Sequence, residues 1–261
     1  MDDIITERSE GVLRVELNRP AKKNAMSSSM YAKLADVFNE AADDESVRAL
    51  LWHGAGDAFT AGNDLKDFLE NPPGAEESAQ SRLMRALLDF DKPVVAAVRG
   101  AAVGGGTTML LHCDFVFASE GTRFQLPFIN LALLPEFGSS FLLPLRIGHL
   151  RAAELIFLGS PFDAIRASEL GLVTKVLPDE SVLAIAMETA RTLAARPAEA
   201  LRASKQLLKR AFREQIKGAM QAENTGFSAR LHSDEAKEAM AAFLERRPPI
   251  FTKGASPASA K

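Results

Sequence analysis

The chain has 261 residues, 47% of them hydrophobic and 25% charged, with a formal net charge of -3 and a single cysteine. This length and hydrophobic content allow a sizeable core. The slightly acidic balance disfavours nucleic acid or an anionic membrane as a partner, and the lone Cys113 excludes an internal disulfide. The N-terminus lacks a signal pattern and no apolar run reaches spanning length, so we expect a soluble, cytoplasmic protein.

The first third of the chain alternates strands, loops and helices. The predicted elements are a hairpin of two short strands (4–6 and 12–17), a helix capped by Ser27 or Ser28, a strand (47–53), a short helix near Asp64 and an amphipathic helix (81–90). The glycine-rich loop GAGDAFTAGNDL joins the strand at 47–53 to the short helix. This strand, loop and helix form a junction of a kind that occurs again further along the chain.

The second junction lies in the stretch 94–114, VVAAVRGAAVGGGTTMLLHCD, which predicts a buried strand, a glycine turn and the start of an apolar helix. Gly104, Gly105 and Gly106 stand where the helix begins. The first amides of a helix have no internal acceptor, so they favour an anion or an oxygen that becomes one. A sharp turn would also explain the glycines. Gly106 replaces the lysine of a phosphate loop, which disfavours a nucleotide triphosphate site.

The rest of the chain becomes increasingly helical. The predicted elements are strands at 115–118 and 122–125, a strand-like segment at 172–177, and helices from Pro178 to Arg246 that are interrupted at Pro197. We therefore expect an α/β core at 1–195 and a C-terminal helical region at 196–261 that ends in a frayed tail. The sequence contains no CxxC, HExxH or GxSxG motif, so no metal site is predicted.

Five segments in order, AFTAGNDL, GAAVGGG, CDFVFAS, ASELGLVTKVL and AMAAFLERR, resemble the enoyl-CoA hydratase/isomerase, or crotonase, superfamily. The resemblance implies a spiral of repeated ββα units with a C-terminal helical trimerisation region. It further implies a homotrimer or homohexamer that acts on acyl-CoA thioesters in fatty acid metabolism. Coenzyme A would enter as part of the substrate, with no separate cofactor.

Matching the family's motifs assigns roles to residues at both junctions. The main-chain N–H groups of Asn63 and Gly105 would donate to the thioester oxygen as it gains negative charge. Contacts to coenzyme A carry over to two groups of residues, one near the junctions and one at the end of the chain. These residues are Lys22, Lys23, Asn24, Ala25, Ala61, Asp64 and Leu65, followed by Phe243 and Arg246. Ordinary surface solvation would equally explain the lysines.

The reaction is indicated by which carboxylates the sequence keeps. Where the hydratase pattern has two glutamates, this chain has Thr108 and Phe128, neither of which can act as a base. Glu136, in LLPEFGSS, resembles the single glutamate of the Δ3,Δ2-enoyl-CoA isomerase branch, which would move a proton from C2 to C4. A competing interpretation places Pro135 and Glu136 in the first turn of a helix, where a carboxylate complements the helix dipole.

We therefore predict an enoyl-CoA isomerase that converts 3-enoyl-CoA to 2-enoyl-CoA through an enolate, with Glu136 as proton shuttle. The alternative within the family is hydration, which is a lyase reaction, or another crotonase reaction. A non-catalytic acyl-CoA binder or an RNA binder is the alternative from a different class. The loop at 71–80 is expected to shape the pocket, but its sequence does not encode acyl chain length.

Overall fold

A six-stranded sheet forms the centre of the computed structural model, which describes residues 2–70 and 78–251. The strands are β1 (Ile4–Ser9), β2 (Val12–Leu17), β3 (Ala49–Gly54), β4 (Val94–Val98), β5 (Ala101–Val103), β6 (Phe115–Ser119), β7 (Arg123–Gln125), β8 (Phe162–Asp163) and β9 (Lys175–Leu177). The large sheet has the order β1-β2-β3-β4-β6-β9, and β5, β7 and β8 form a second, smaller sheet. β1 is antiparallel to β2, and every later pair of the large sheet is parallel.

Helices connect the strands and make up most of the C-terminal third. They are α1 (Ser28–Asp43), α2 (Leu65–Glu70), α3 (Ala79–Asp89), α4 (Gly105–Thr108), α5 (Ser139–Ile147), α6 (His149–Leu158), α7 (Ala164–Glu169), α8 (Asp179–Ala194), α9 (Ala198–Arg210), α10 (Arg213–Leu231) and α11 (Asp234–Glu245). The expected mixed α/β fold with a C-terminal helical region is confirmed. The boundary at residue 195 stays a prediction, and the tail from 252 onward lies outside the described residues.

The central strand β4 is buried on both faces. Val94, Ala96 and Val98 belong to the main core, whereas Val95 and Ala97 belong to a second cluster on the opposite face. The small, closely spaced alanines of α8 cover that second face, and α1 and α3 lie on the first. Such two-sided burial is the general condition of parallel strands. It accounts for the continuous apolar run that predicted this strand.

Helix α1 forms where its sequence predicts it. Ser27 is the N-cap, and its side chain accepts a hydrogen bond from the Met30 N–H at 3.3 Å. The predicted apolar face, which includes Leu34 and Phe38, is buried in the main core. Both the cap and the helical spacing of apolar residues are therefore confirmed.

Two predictions for the second junction need correction. The apolar helix after the three glycines is a single α-helical turn, α4, followed by a 3-10 turn at Met109–His112. The segment between Gly100 and Gly104, expected to be part of the turn, is the short strand β5, which pairs with β7. A strand of three residues is too short to show an alternating pattern, so its pairing is decided by the tertiary structure.

No helix in the part of the chain that the structure describes combines the length and the apolar content needed to cross a bilayer. Several large apolar side chains nevertheless face outward. On α6, Leu150 is 82% exposed, Phe157 67% and Leu158 64%, and on α9 Leu208 is 80% exposed. Exposed apolar patches of this kind are typical of protein interfaces.

We expect the protein to form a trimer or hexamer that covers these side chains. Light scattering coupled to size-exclusion chromatography should give three or six times the chain mass at micromolar concentration. Replacing Phe157 and Leu158 together by serine should shift the protein toward the monomer if α6 lies in the interface. A monomeric wild type would contradict the expected assembly.

Candidate active site

The two junctions predicted from sequence lie side by side, joined by backbone hydrogen bonds. The Thr60 N–H donates to the carbonyl oxygen of Ala101 at 2.9 Å, and the Val103 N–H donates to that of Thr60 at 3.1 Å. Thr60 and Ala102 thus form an isolated parallel bridge. The loop that leads to Asn63 is therefore held directly against the strand that leads to Gly105.

Glycine makes this close approach possible. A Cβ atom on Gly62 would lie 2.8 Å from the Val103 carbonyl oxygen, and one on Gly106 would collide with the Thr60 side chain. Gly62 also has φ +88°, in the left-handed region that favours glycine. Any larger residue at these two positions would push the junctions apart. The glycines therefore allow the two junctions to contact each other, in addition to permitting a turn within each.

The main-chain N–H groups of Asn63 and Gly105 have no acceptor in the part of the chain that the structure describes. Around them, Met26 N–H donates to Gly62 and Gly104 N–H donates to Gln125, but among residues 2–70 and 78–251 no acceptor is found for either group. Buried or half-buried backbone donors are nearly always paired, so two unpaired ones in adjacent loops mark a site that an oxygen can occupy. This arrangement has the composition of an oxyanion hole.

A buried carboxyl group lies next to Gly105. Glu136 is 2% exposed, and a Cβ built on Gly105 would be 2.7 Å from its Oε1. Its Oε2 accepts a hydrogen bond from Gln80 Nε2 at 2.6 Å, whereas Oε1 has no partner among the described residues. Glu136 therefore lies beside Gly105, and the catalytic roles assigned to Asn63, Gly105 and Glu136 stay predictions. The carboxyl oxygen without a partner is the one nearer Gly105.

Burial changes the acidity of this carboxyl group. Loss of solvation raises the pKa of Glu136 to about 8, against the opposing effect of the Gln80 hydrogen bond and with a further rise from the charge of Glu223. A carboxylate with a raised pKa is a stronger base than a glutamate in water. Strongly perturbed carboxyl groups in a cleft are typical of catalytic sites.

Two buried residues hold the loop that carries Glu136. Phe137 has a left-handed backbone, with φ +59°, and its carbonyl oxygen lies 2.7 Å from His112 Nε2. Burial lowers the pKa of His112 to about 3, so the ring is neutral and Nε2 carries the donated proton. Glu223 of α10 accepts hydrogen bonds from the N–H groups of Gly138 and Ser140, both at 2.7 Å. The loop is thus fixed at Phe137 by His112, and at Gly138 and Ser140 by Glu223.

The alternative role of Glu136 at a helix N-terminus is wrong. Helix α5 begins at Ser139 with Gly138 as N-cap, so Pro135 and Glu136 precede it. The carboxylate that complements this N-terminus is Glu223, which comes from a distant helix. Glu136 is therefore free of that structural role.

The predicted coenzyme A loop is attached to the Asn63 junction. The Ala61 N–H donates to the Lys23 carbonyl oxygen at 2.9 Å, and the side chains of Lys22 and Lys23 are exposed beside it. Asn24 differs from the lysines because its side chain is fully buried and donates to two backbone carbonyls, at 2.8 and 2.7 Å. Its carboxamide therefore shapes the loop, while ligand contacts by the loop remain a prediction.

The other predicted coenzyme A residues lie on both sides of this region. Ala25 and Leu65 are half-buried, and Asp64 pairs with Arg19 at 3.1 Å. Phe243 is 62% exposed and Arg246 is exposed, both at the end of α11. Their contacts with a ligand are untested predictions. None of these side chains lies against Glu136 in the contacts of the described residues.

Four residues of the site were not predicted from the sequence: Tyr31, Gln80, His112 and Glu223. The Tyr31 hydroxyl donates to Asn63 Oδ1 at 2.5 Å, and its ring belongs to the main core. The only signal in the sequence was helical periodicity, which indicates burial and says nothing about the partner of a polar atom. Thr108 and Phe128, at the positions of the hydratase glutamates, are buried and carry no carboxyl group.

Comparison with known proteins agrees with this geometry. A family model described as enoyl-CoA hydratase/isomerase matches residues 7–254. The solved structure titled enoyl-CoA hydratase/isomerase from Pseudoalteromonas atlantica is 38% identical, with a TM-score of 0.93 over 96% of this chain and 100% of that one. Pseudomonas aeruginosa OdaA is 45% identical, with a TM-score of 0.92 over 94% and 100%. The chain belongs to the enoyl-CoA hydratase/isomerase, or crotonase, superfamily, and is an acyl-CoA enzyme.

Relatives of this chain have names for different reactions. The Escherichia coli 1,2-epoxyphenylacetyl-CoA isomerase is 34% identical over 97% of this chain and 99% of its own length. The 2,3-dehydroadipyl-CoA hydratase of the same organism is 32% identical over 96% and 99%. Rat enoyl-CoA delta isomerase 2 is 33% identical over 95% of this chain, which spans only 64% of that protein. Similarity therefore identifies the family but not the reaction, which has to be inferred from the residues of the site.

Gly105→Ala should reduce turnover of acyl-CoA by about a hundredfold, because the added methyl displaces the Glu136 carboxyl group and small misplacements carry costs of this size. The methyl carbon would lie 2.7 Å from Glu136 Oε1 and 3.0 Å from the Tyr31 hydroxyl oxygen. Gly121→Ala is the control, since nothing lies within 4 Å of its Cβ position. Equal activities in the two variants would contradict the proximity of Glu136 to Gly105.

The raised pKa also predicts how stability depends on pH. Glutamate has a reference pKa of 4.5, whereas the pKa of folded Glu136 is about 8. Between these values the unfolded chain releases a proton that the folded chain keeps, so wild-type stability falls as pH rises. Glu136→Gln lacks this penalty, and its free energy of unfolding relative to wild type should increase from pH 5 to pH 8. A constant difference in the free energy of unfolding between wild type and Glu136→Gln from pH 5 to pH 8 would contradict the raised pKa.

Proposed function

We propose that this enzyme shifts the double bond of 3-enoyl-CoA to give 2-enoyl-CoA, with Glu136 as the proton shuttle. The observation that carries the proposal is the position of Glu136 Oε1 beside Gly105: among the described residues, neither Oε1 nor the Gly105 N–H has a hydrogen-bond partner. A base next to an oxyanion hole is the arrangement needed to remove a proton adjacent to a carbonyl group.

The oxyanion hole stabilises the charge that this step creates. The thioester oxygen would accept hydrogen bonds from the N–H groups of Asn63 and Gly105. When Glu136 Oε1 takes a proton from C2, the electrons of that bond move toward the carbonyl, and negative charge accumulates on the oxygen. Fixed donors lower the energy of this dienolate more than that of the neutral thioester.

The same carboxyl group can complete the reaction. Protonated Glu136 returns its proton to C4 of the dienolate, the double bond forms between C2 and C3, and the carboxylate is regenerated. No proton is gained or lost overall, so one carboxyl group is sufficient. Gln80 holds Oε2, which leaves Oε1 as the oxygen that accepts and returns the proton.

Hydration is less well supported by the site. Adding water across a double bond usually requires one group to activate the water and another to protonate the carbon. The positions of the two hydratase glutamates carry Thr108 and Phe128, so this acid and base pair is missing there. Isomerase names among the relatives are in keeping with the proposal, although a hydratase occurs among them at similar identity.

The wild-type enzyme should convert 3-enoyl-CoA to 2-enoyl-CoA and hydrate 2-enoyl-CoA poorly. Glu136→Gln should lower kcat by roughly two to four orders of magnitude with little change in ligand affinity, as expected when a general base is lost. The kcat/KM of the wild type should rise with pH as Glu136 ionises near its pKa of about 8. Spectrophotometric assays on both substrates and calorimetric binding of an acyl-CoA measure these effects.

The exposed Glu154→Gln serves as a matched control, because it makes the same chemical change outside the site. Efficient hydration by the wild type would favour the hydratase alternative. Normal isomerase activity in Glu136→Gln would exclude the shuttle. Binding of acyl-CoA without turnover of either substrate would indicate a non-catalytic relative.

A further inference from the structure

We propose that Tyr31 and the side chain of Asn63 act as a positioning pair, in which Asn63 holds the tyrosine proton away from Glu136 and so leaves Oε1 free as the base. This role rests on the proposed isomerase reaction. It assigns different tasks to two parts of Asn63: the main-chain N–H serves the substrate oxygen, and the carboxamide controls a neighbouring hydroxyl group.

Tyr31 and Glu136 approach the same point from different parts of the chain. A Cβ built on Gly105 would lie 3.0 Å from the Tyr31 hydroxyl oxygen and 2.7 Å from Glu136 Oε1. Both side chains are buried, with 4% and 2% exposure. The hydroxyl oxygen and the oxygen that the proposed mechanism requires to be unpaired therefore both face Gly105.

The tyrosine has one proton and two neighbouring acceptors. In the structure it donates to Asn63 Oδ1 at 2.5 Å, and Glu136 Oε1 receives no hydrogen bond from the described residues. An ionised carboxylate is the stronger acceptor of the two, since charge-assisted hydrogen bonds are stronger than neutral ones. A bond from Tyr31 to Glu136 would stabilise the carboxylate and weaken it as a base. Asn63 prevents this by providing an acceptor already in place.

The pair is fixed from both ends. Tyr31 extends from α1, whose apolar face is packed in the main core. Asn63 lies between two backbone hydrogen bonds to Met26, one from Met26 N–H to Gly62 at 2.8 Å and one from Asp64 N–H to Met26 at 2.9 Å. The Tyr31 to Asn63 bond thus links a rigid helix to the loop that carries an oxyanion donor. Loss of the bond would loosen the donor as well as release the hydroxyl.

The hydroxyl is a donor throughout the working range of the enzyme. Burial, and next the charge of Glu136, raise the pKa of Tyr31 well above its usual value, while a hydrogen bond with Gln80 lowers it. Among the described residues, the other titratable groups next to the Glu136 loop are His112, from the turn after α4, and Glu223 of α10. His112 is neutral, and Glu223 is held by two backbone N–H groups.

Three variants separate the two tasks: Tyr31→Phe, Asn63→Ala and the double variant. Asn63→Ala keeps the main-chain donor but frees the Tyr31 hydroxyl to bond to Glu136. Its kcat should fall by about tenfold or more, and the acidic limb of its kcat/KM profile should move to lower pH. Tyr31→Phe loses only the hydrogen bond to Asn63, so its kcat should fall by about a factor of three to ten. Its KM and the acidic limb of its kcat/KM profile should change little.

The double variant gives the decisive comparison. Removing the hydroxyl from Asn63→Ala should restore the wild-type pH profile and raise kcat to the level of Tyr31→Phe alone. A second mutation that improves the first is not expected if the two residues only support the fold. Additive losses, or an unchanged pH profile in Asn63→Ala, would overturn the proposed pairing.

A measurement without substrate separates this inference from the proposed function. The pH dependence of unfolding, compared between each variant and its Glu136→Gln counterpart, reports the pKa of Glu136 directly. Asn63→Ala should lower that pKa and the double variant should restore it, whatever reaction the enzyme catalyses. An unchanged pKa in Asn63→Ala overturns the pairing, whereas a wild type inactive on 3-enoyl-CoA overturns only the proposed reaction. If Asn63→Ala does not fold, Asn63→Leu tests the same loss of the acceptor, because leucine is close to asparagine in size and has no polar side-chain atom.

Discussion

The backbone bridge between Thr60 and Ala102 is the contact on which the active site depends. Two N–H groups from different parts of the chain can address one oxygen only if their loops touch without intervening side chains, and Gly62 and Gly106 allow this. The sheet brings the two loops together, because β3 and β4 are parallel neighbours and the loops that follow them begin at the same edge of the sheet. Ligand sites at the carboxyl ends of parallel strands follow from this geometry in many folds.

Burying Glu136 creates a second constraint. An ionised carboxyl group loses much of its solvation in such an environment, and burial normally requires compensating partners. Here the partners act mainly on the surrounding loop: His112 fixes the carbonyl of Phe137, and Glu223 fixes the backbone that follows. Of the residues that the structure describes, Gln80 alone bonds to the carboxyl group itself. The fold thus fixes the position of Glu136 and leaves its Oε1 without a hydrogen bond from the described residues.

Local patterns were sufficient for much of this structure. The apolar runs predicted β3 and β4, and the serine cap and helical spacing predicted α1. The roles of Asn63, Gly105 and Glu136 come from the family resemblance and stay predictions. The bonds from Tyr31 to Asn63, from Gln80 to Glu136 and from Gly138 to Glu223 span 32, 56 and 85 residues. Periodicity shows that such side chains are buried, but their partners depend on how distant elements pack. β5 and β8 escaped prediction because three or two residues carry no period.

Glu223 connects the C-terminal helices to the chemistry of the core. It belongs to α10, yet its carboxylate receives the first N–H groups of α5, immediately after the loop that carries Glu136. The core and the helical region are therefore joined by hydrogen bonds of a buried side chain, although they are separate in sequence. A chimaera that takes its sheet from this chain and its last helices from a relative keeps the proposed base in position only if the relative supplies an equivalent acceptor. Substitutions that shift α10 are restricted in the same way, since they would also move the loop that carries Glu136.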